Sequence, residues 1–116
     1  MRIGDAARSF DAYLRGLRAM PSNQHTMAQL EALALELDRF PELVKLVVEL
    51  AAEEVDPTLS RALYLKAAEI YATQLGDMEG AVGCYNRILE NDAADEQVLA
   101  SLEGLYRVRE RWHELL

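Results

Sequence analysis

Few side chains in this 116-residue chain are of types that do covalent or metal chemistry. Its histidines are His25 and His113, and its one cysteine is Cys84. Neither histidine belongs to the HxxxH or HExxH spacing that sets two imidazoles and a general base on one helical face around zinc. Cys84 stands between Gly83 and Tyr85 with no histidine in its own segment. A thiol without such a base stays protonated and weakly nucleophilic, so Cys84 is expected to be a small buried residue. A single cysteine also excludes an intramolecular disulfide and a cysteine-ligated zinc. The carboxylate pairs Glu53–Glu54 and Asp95–Glu96 are adjacent, so on a helix they diverge and read as solvated faces. No GxGxxG follows a strand-like run, and no GxxxxGK[ST] occurs. Gly76-x-x-x-Gly80 outside a membrane signals helix packing only. No catalytic residue, cofactor site or metal site is expected, and the chain reads as non-enzymatic.

What remains is a surface, and its composition narrows the partners. Acidic residues number 20 against 12 basic ones, for a formal net charge of −8. Nucleic-acid binding needs a clustered basic face to displace counterions, so it is not expected. The acid concentrates between Glu31 and Asp56, where the only basic residues are Arg39 and Lys45. The first 20 residues are instead mildly basic, through Arg2, Arg8, Arg15 and Arg18. The N-terminus has no apolar stretch of the kind a signal peptide carries. The most apolar window, residues 43–52, is short and carries Lys45 and Glu49, which suits a core helix and not a membrane span.

The elements that present this surface follow from an internal repeat. Shifting the sequence by 72 residues lays 4–44 on 76–116 without a gap, with 12 of 41 positions identical. Chance in a chain this rich in Ala, Leu and Glu gives roughly four. Identities include Gly4/Gly76, Asp5/Asp77, Tyr13/Tyr85, Leu17/Leu89, Leu30/Leu102 and Arg39/Arg111. Within each copy, apolar residues recur at i, i+3, i+4 and i+7, the period of an amphipathic helix. Asn23 caps a helix to about Leu37, and Pro41 suits the first turn of the next, to about Glu54. Asp56-Pro57 opens a helix to about Leu75, Asp77 caps the next, and Asp95 the one after. With loops this short, neighbouring helices are antiparallel. The chain is all-α, and about seven helices are expected.

These residues resemble the tetratricopeptide repeat family. Its helix A carries a bulky residue, a small one and an aromatic, here Tyr64, Ala67, Ala68 and Tyr71. After a turn glycine its helix B carries a small residue and an aromatic, here Gly76, Ala81, Tyr85 and then Ile88. Leu99, Leu102, Tyr106, Trp112 and Leu115 match the following unit. Met27, Leu30, Ala34, Phe40, Leu43 and Val47 match the preceding one more weakly. Glu31 and Glu103 depart from the small residue of helix A, and Tyr71 to Gly76 is one residue longer than the pattern. The resemblance implies a right-handed α-solenoid over residues 1–116. It would comprise the second helix of a partial repeat (4–21), repeats at 23–55 and 57–92, and a partial repeat at 95–116. It also implies that the sequence is a piece of a longer array, with Trp112, Leu115 and Leu116 forming an end that self-associates.

The same resemblance places a peptide-binding groove on the concave face. Its positions are His25, Gln29 and Glu36, then Lys66, Glu69 and Thr73, then Gln97, Ser101 and Arg107. Ala28, Leu35, Ala62, Leu65 and Ala100 would form its floor. The basic set with which some members clamp a peptide carboxylate is missing, since Ala28 and Ala32 stand where it is needed. The expected function is a non-catalytic protein–protein interaction scaffold that holds a partner peptide or helix, with net charge favouring a basic or mixed-charge partner. The alternatives are a regulatory or substrate-docking domain of a larger enzyme, or a structural spacer within a long array. Arrays of this style resemble those of large bacterial scaffold proteins, which implies a bacterial, cytoplasmic setting.

Overall fold

Four helix starts in this chain are made by side chains that accept a backbone N–H, while the helix that begins at Phe40 has no side-chain cap. Asn23 Oδ1 accepts from Thr26 N at 3.1 Å, Asp77 Oδ1 from Gly80 N at 2.9 Å, and Asp95 Oδ1 from Val98 N at 3.3 Å. Asp56 Oδ1 accepts from Thr58 N at 3.0 Å, with Pro57 as the first helical residue. Each bond satisfies one of the donors that a helix start leaves without a partner. The computed structural model describes the backbone of residues 3–115 and the side chains of residues 4–108.

Among the described residues there are six helices and no strand: α1 (Ile3–Ala19), α2 (Gln24–Leu37), α3 (Phe40–Glu53), α4 (Pro57–Thr73), α5 (Met78–Asn91) and α6 (Glu96–Leu115). None is long and apolar enough to cross a membrane. The chain divides into two compact units, Met1–Leu63 and Tyr64–Leu116.

In the first unit α1, α2 and α3 are mutually packed, most closely α1 on α2. Phe10, Leu17, Leu30, Ala34, Leu43 and Val47 are fully buried there. The α2–α3 turn is made by Asp38, whose φ of 56° is left-handed. Aspartate tolerates that conformation better than most residues because its short polar side chain bonds locally. Ser60 Oγ donates to the Ala51 carbonyl at 2.8 Å, satisfying an acceptor in the last turn of α3.

In the second unit α5 lies closest to α6. The extra residue between Tyr71 and Gly76 is absorbed in the end of α4. Leu75 N donates five residues back to Ile70, and Asp77 N donates six back to Tyr71, both wider than an α-helical turn. Gly76, at φ 61°, makes the reversal.

The expected seven helices become six because RWHELL (111–116) is not the start of a new helix. The backbone of α6 runs through it to Leu115. The first copy turns at Asp38 and restarts at Pro41; the second has Glu110 and His113 at those positions. Neither favours a left-handed residue or a proline-led first turn, so no break is signalled. The self-associating end expected of Trp112, Leu115 and Leu116 concerns side chains outside the described residues.

Candidate functional site

Cys84 is buried on α5, and Asp77 and Tyr71 are its electrostatic neighbours. Burial first, and then the negative Asp77, push its thiol up to about 11. It is therefore protonated at neutral pH and is no nucleophile. The neighbouring Tyr71 phenol is also raised, chiefly by burial. Every buried side-chain nitrogen and oxygen among the described residues has a hydrogen-bond partner. No three His, Cys, Asp or Glu side chains among those residues converge on a metal-sized site. Asp95 caps α6 as expected, but it is buried and not on a solvated face.

The Tyr71 ring explains a glycine. A Cβ on Gly80 would stand 2.7 Å from Tyr71 Cδ1 and 2.8 Å from its Cγ, closer than carbon atoms approach. Gly80 is thus required by a contact between α4 and α5. Gly83 is not: a Cβ there meets nothing within 4 Å. The Tyr71–Gly80 contact escapes sequence reasoning, because only the non-local pairing of helices brings the two together.

The nine groove candidates fall into three local sets. On α2, His25, Gln29 and Glu36 share one face with Ala28, Ala32 and Leu35, in helical register. That face is open apart from Gln29, which is half-buried, and Leu35 is 69% exposed. On α4, Lys66 and Glu69 form an ion pair at 3.5 Å, and Thr73 Oγ1 donates to the Glu69 carbonyl at 2.7 Å. On α6, Ser101 Oγ donates to the Gln97 carbonyl at 3.0 Å, and Arg107 pairs with Glu103. The α4 and α6 sets thus engage their own helices, whereas the α2 set frames an exposed leucine. Of the expected floor, Ala28, Leu35, Ala62 and Ala100 are exposed and Leu65 is half-buried.

The five tyrosines are not equally covered. Tyr64 is buried and Tyr13, Tyr71 and Tyr85 are half-buried, but Tyr106 is 45% exposed. No protein-family model, curated protein or solved structure matches the chain.

Proposed function

We propose that the chain is a non-catalytic, tetratricopeptide-like interaction module of the right-handed α-solenoid type, which binds a partner peptide through the open face of α2. The observation that carries this is Leu35, 69% exposed on the helix face that also carries His25, Ala28, Gln29, Ala32 and Glu36. A flat run of small residues beside one large apolar side chain suits a partner that inserts its own apolar anchors at i, i+3 or i+4 spacing.

Selection of a displayed peptide library on the full chain tests this. Selected peptides are expected to lose at least tenfold in affinity to Leu35→Asp, the loss of about 1.4 kcal/mol that one central anchor supplies. Binding indifferent both to Leu35→Asp and to Gln29→Ala would sink the proposal.

A further inference from the structure

The internal repeat lets one copy report what covers the other. Under the 72-residue shift, α1 and α2 correspond to α5 and the first part of α6. In the first copy α3 packs on both α1 and α2. There Phe10, Leu17 and Ala34 are fully buried and Met27 is 9% exposed. Their counterparts are Val82, Leu89, Tyr106 and Leu99. Val82 and Leu89 are only half-buried, and Leu99 and Tyr106 are each 45% exposed. Among the described residues, positions 112–115, the counterparts of the first residues of α3, continue α6 instead.

The charges that meet α3 also change between the copies. In the first copy Arg18 faces Glu49 of α3 at 3.7 Å, and Asp11 holds Arg39 at the start of α3 at 3.2 Å. The counterpart of Arg18 is Glu90, and that of Asp11 is Gly83, above which space is open. Glu90 pairs with Arg87 at 3.5 Å, but Arg87 already has its equal in Arg15, so the reversal at Glu90 is the net change.

We propose that Val82, Leu89, Leu99 and Tyr106 form a docking seat for an amphipathic helix of a partner protein. That helix carries apolar residues at the spacing of Phe40, Leu43, Val44 and Val47, and a Lys or Arg where α3 carries Glu49. The reversed charge at Glu90 selects the basic residue. Tyr106 in place of Ala34 selects a smaller side chain opposite it, because a close-packed contact has no room for both. The seat shares no residue with the α2 face, so either proposal can fail alone.

The probe is a fluorescein-labelled peptide with the α3 sequence, residues 40–53, carrying Glu49→Lys. It is titrated with the full chain and followed by anisotropy, with circular dichroism confirming that each variant folds. Saturable binding is expected, abolished by Leu99→Asp and weakened about threefold by Glu90→Lys, the range of one exposed ion pair. The unaltered α3 peptide should show the reverse preference and bind the Glu90→Lys chain better. No binding overturns the proposal. So does binding that neither substitution changes, since the peptide would then be seated elsewhere, for instance in place of α3. A dimer that Leu99→Asp converts to monomer on sedimentation would give the seat to a second copy and also overturn it. Glu90→Lys changes only an exposed side chain, so the charge arm holds even where Leu99→Asp disturbs folding.

Discussion

Leu17 and Leu89 are the same residue at the same place in an internal repeat, and only Leu17 is fully buried. α1 buries Ala6, Phe10 and Leu17, whereas α5 buries Ala81, Cys84 and Ile88. The counterparts of the latter three are Ser9, Ala12 and Gly16, all exposed. At 100° per residue the two buried stripes are turned by roughly 100° from each other. A repeated helix therefore does not own its core face; the elements laid against it decide which stripe is covered. In the first copy those elements are α2 and α3 together. In the second, the Tyr71 side chain of α4 lies over Gly80, and the stripe that α3 would cover stays open.

The most direct way to break this comparison is to make the same substitution twice. Leu17→Ala empties a fully enclosed site and is expected to cost about 2–5 kcal/mol, whereas Leu89→Ala should cost only about 1 kcal/mol. Urea denaturation of both variants measures the gap. Equal costs would mean that the exposure difference has no energetic content.

The cysteine offers the next largest effect. With its thiol raised to about 11 from an ordinary 9.0, Cys84 should carry a thiolate fraction about a hundredfold below that of a free cysteine at pH 8. Its reaction with a disulfide reagent should then wait on opening of the fold. A cysteine placed at the exposed counterpart, Ala12→Cys in a Cys84→Ala background, should react without that delay. The linkage has a definite sign. The raised value favours the protonated folded form, so the stability it contributes is complete below pH 9 and is lost as pH rises towards 11. Equal labelling rates at the two positions would remove the distinction between the stripes.

Gly80→Ala should destabilise despite its better helix propensity. Displacing the Tyr71 ring costs about 1–3 kcal/mol, against a gain of about 0.5–1 kcal/mol from removing a helical glycine. A net loss of about 1 kcal/mol and a lower Tm are expected. Gly83→Ala, over open space, should gain the propensity term alone, about 0.5–1 kcal/mol. Opposite signs at two glycines less than one turn apart would show that only one is held by a packing contact. A gain at both would remove the Tyr71 contact from the account.

Much of this architecture was legible because capping is local. Asn23, Asp77, Asp95 and the Asp56-Pro57 pair each mark a helix start within three residues of the bond they make. The repeat was legible through identities, but it misled at one point. The 72-residue shift lays the α2–α3 turn on residues 110–113, where Glu110 and His113 stand in place of Asp38 and Pro41 and the helix continues. The exposed Leu35 was named as part of a groove floor on the strength of a family resemblance, which says where a residue lies and not whether anything covers it. The Tyr71–Gly80 contact and the exposure of Tyr106 were not legible, since both depend on which helix lies beside which.

The smallest effect bears on why α3 covers its copy at all. Arg39 sits at its start, 4.5 Å above the Phe10 ring, bonded to Asp11 and to Glu42. The hydrogen bonds from Arg39 hold the Glu42 carboxyl below the usual range, against a smaller opposing effect of burial. Lowered in the folded state, Glu42 contributes stability at neutral pH that is lost as pH falls through its folded value. Asp11→Asn keeps the shape and removes one charge of this exposed cluster, so it should cost only about 0.5 kcal/mol and make stability less dependent on salt. A cost near that figure means that Phe10, Leu17, Met27 and Ala34 hold α3 in place through apolar contact. The open seat of the second copy then already has what it needs to bind a helix, and Gly83 in place of Asp11 is incidental. A cost several times larger would make the clamp decisive, and restoring it with Gly83→Asp should then strengthen binding of an arginine-led helix at the second copy.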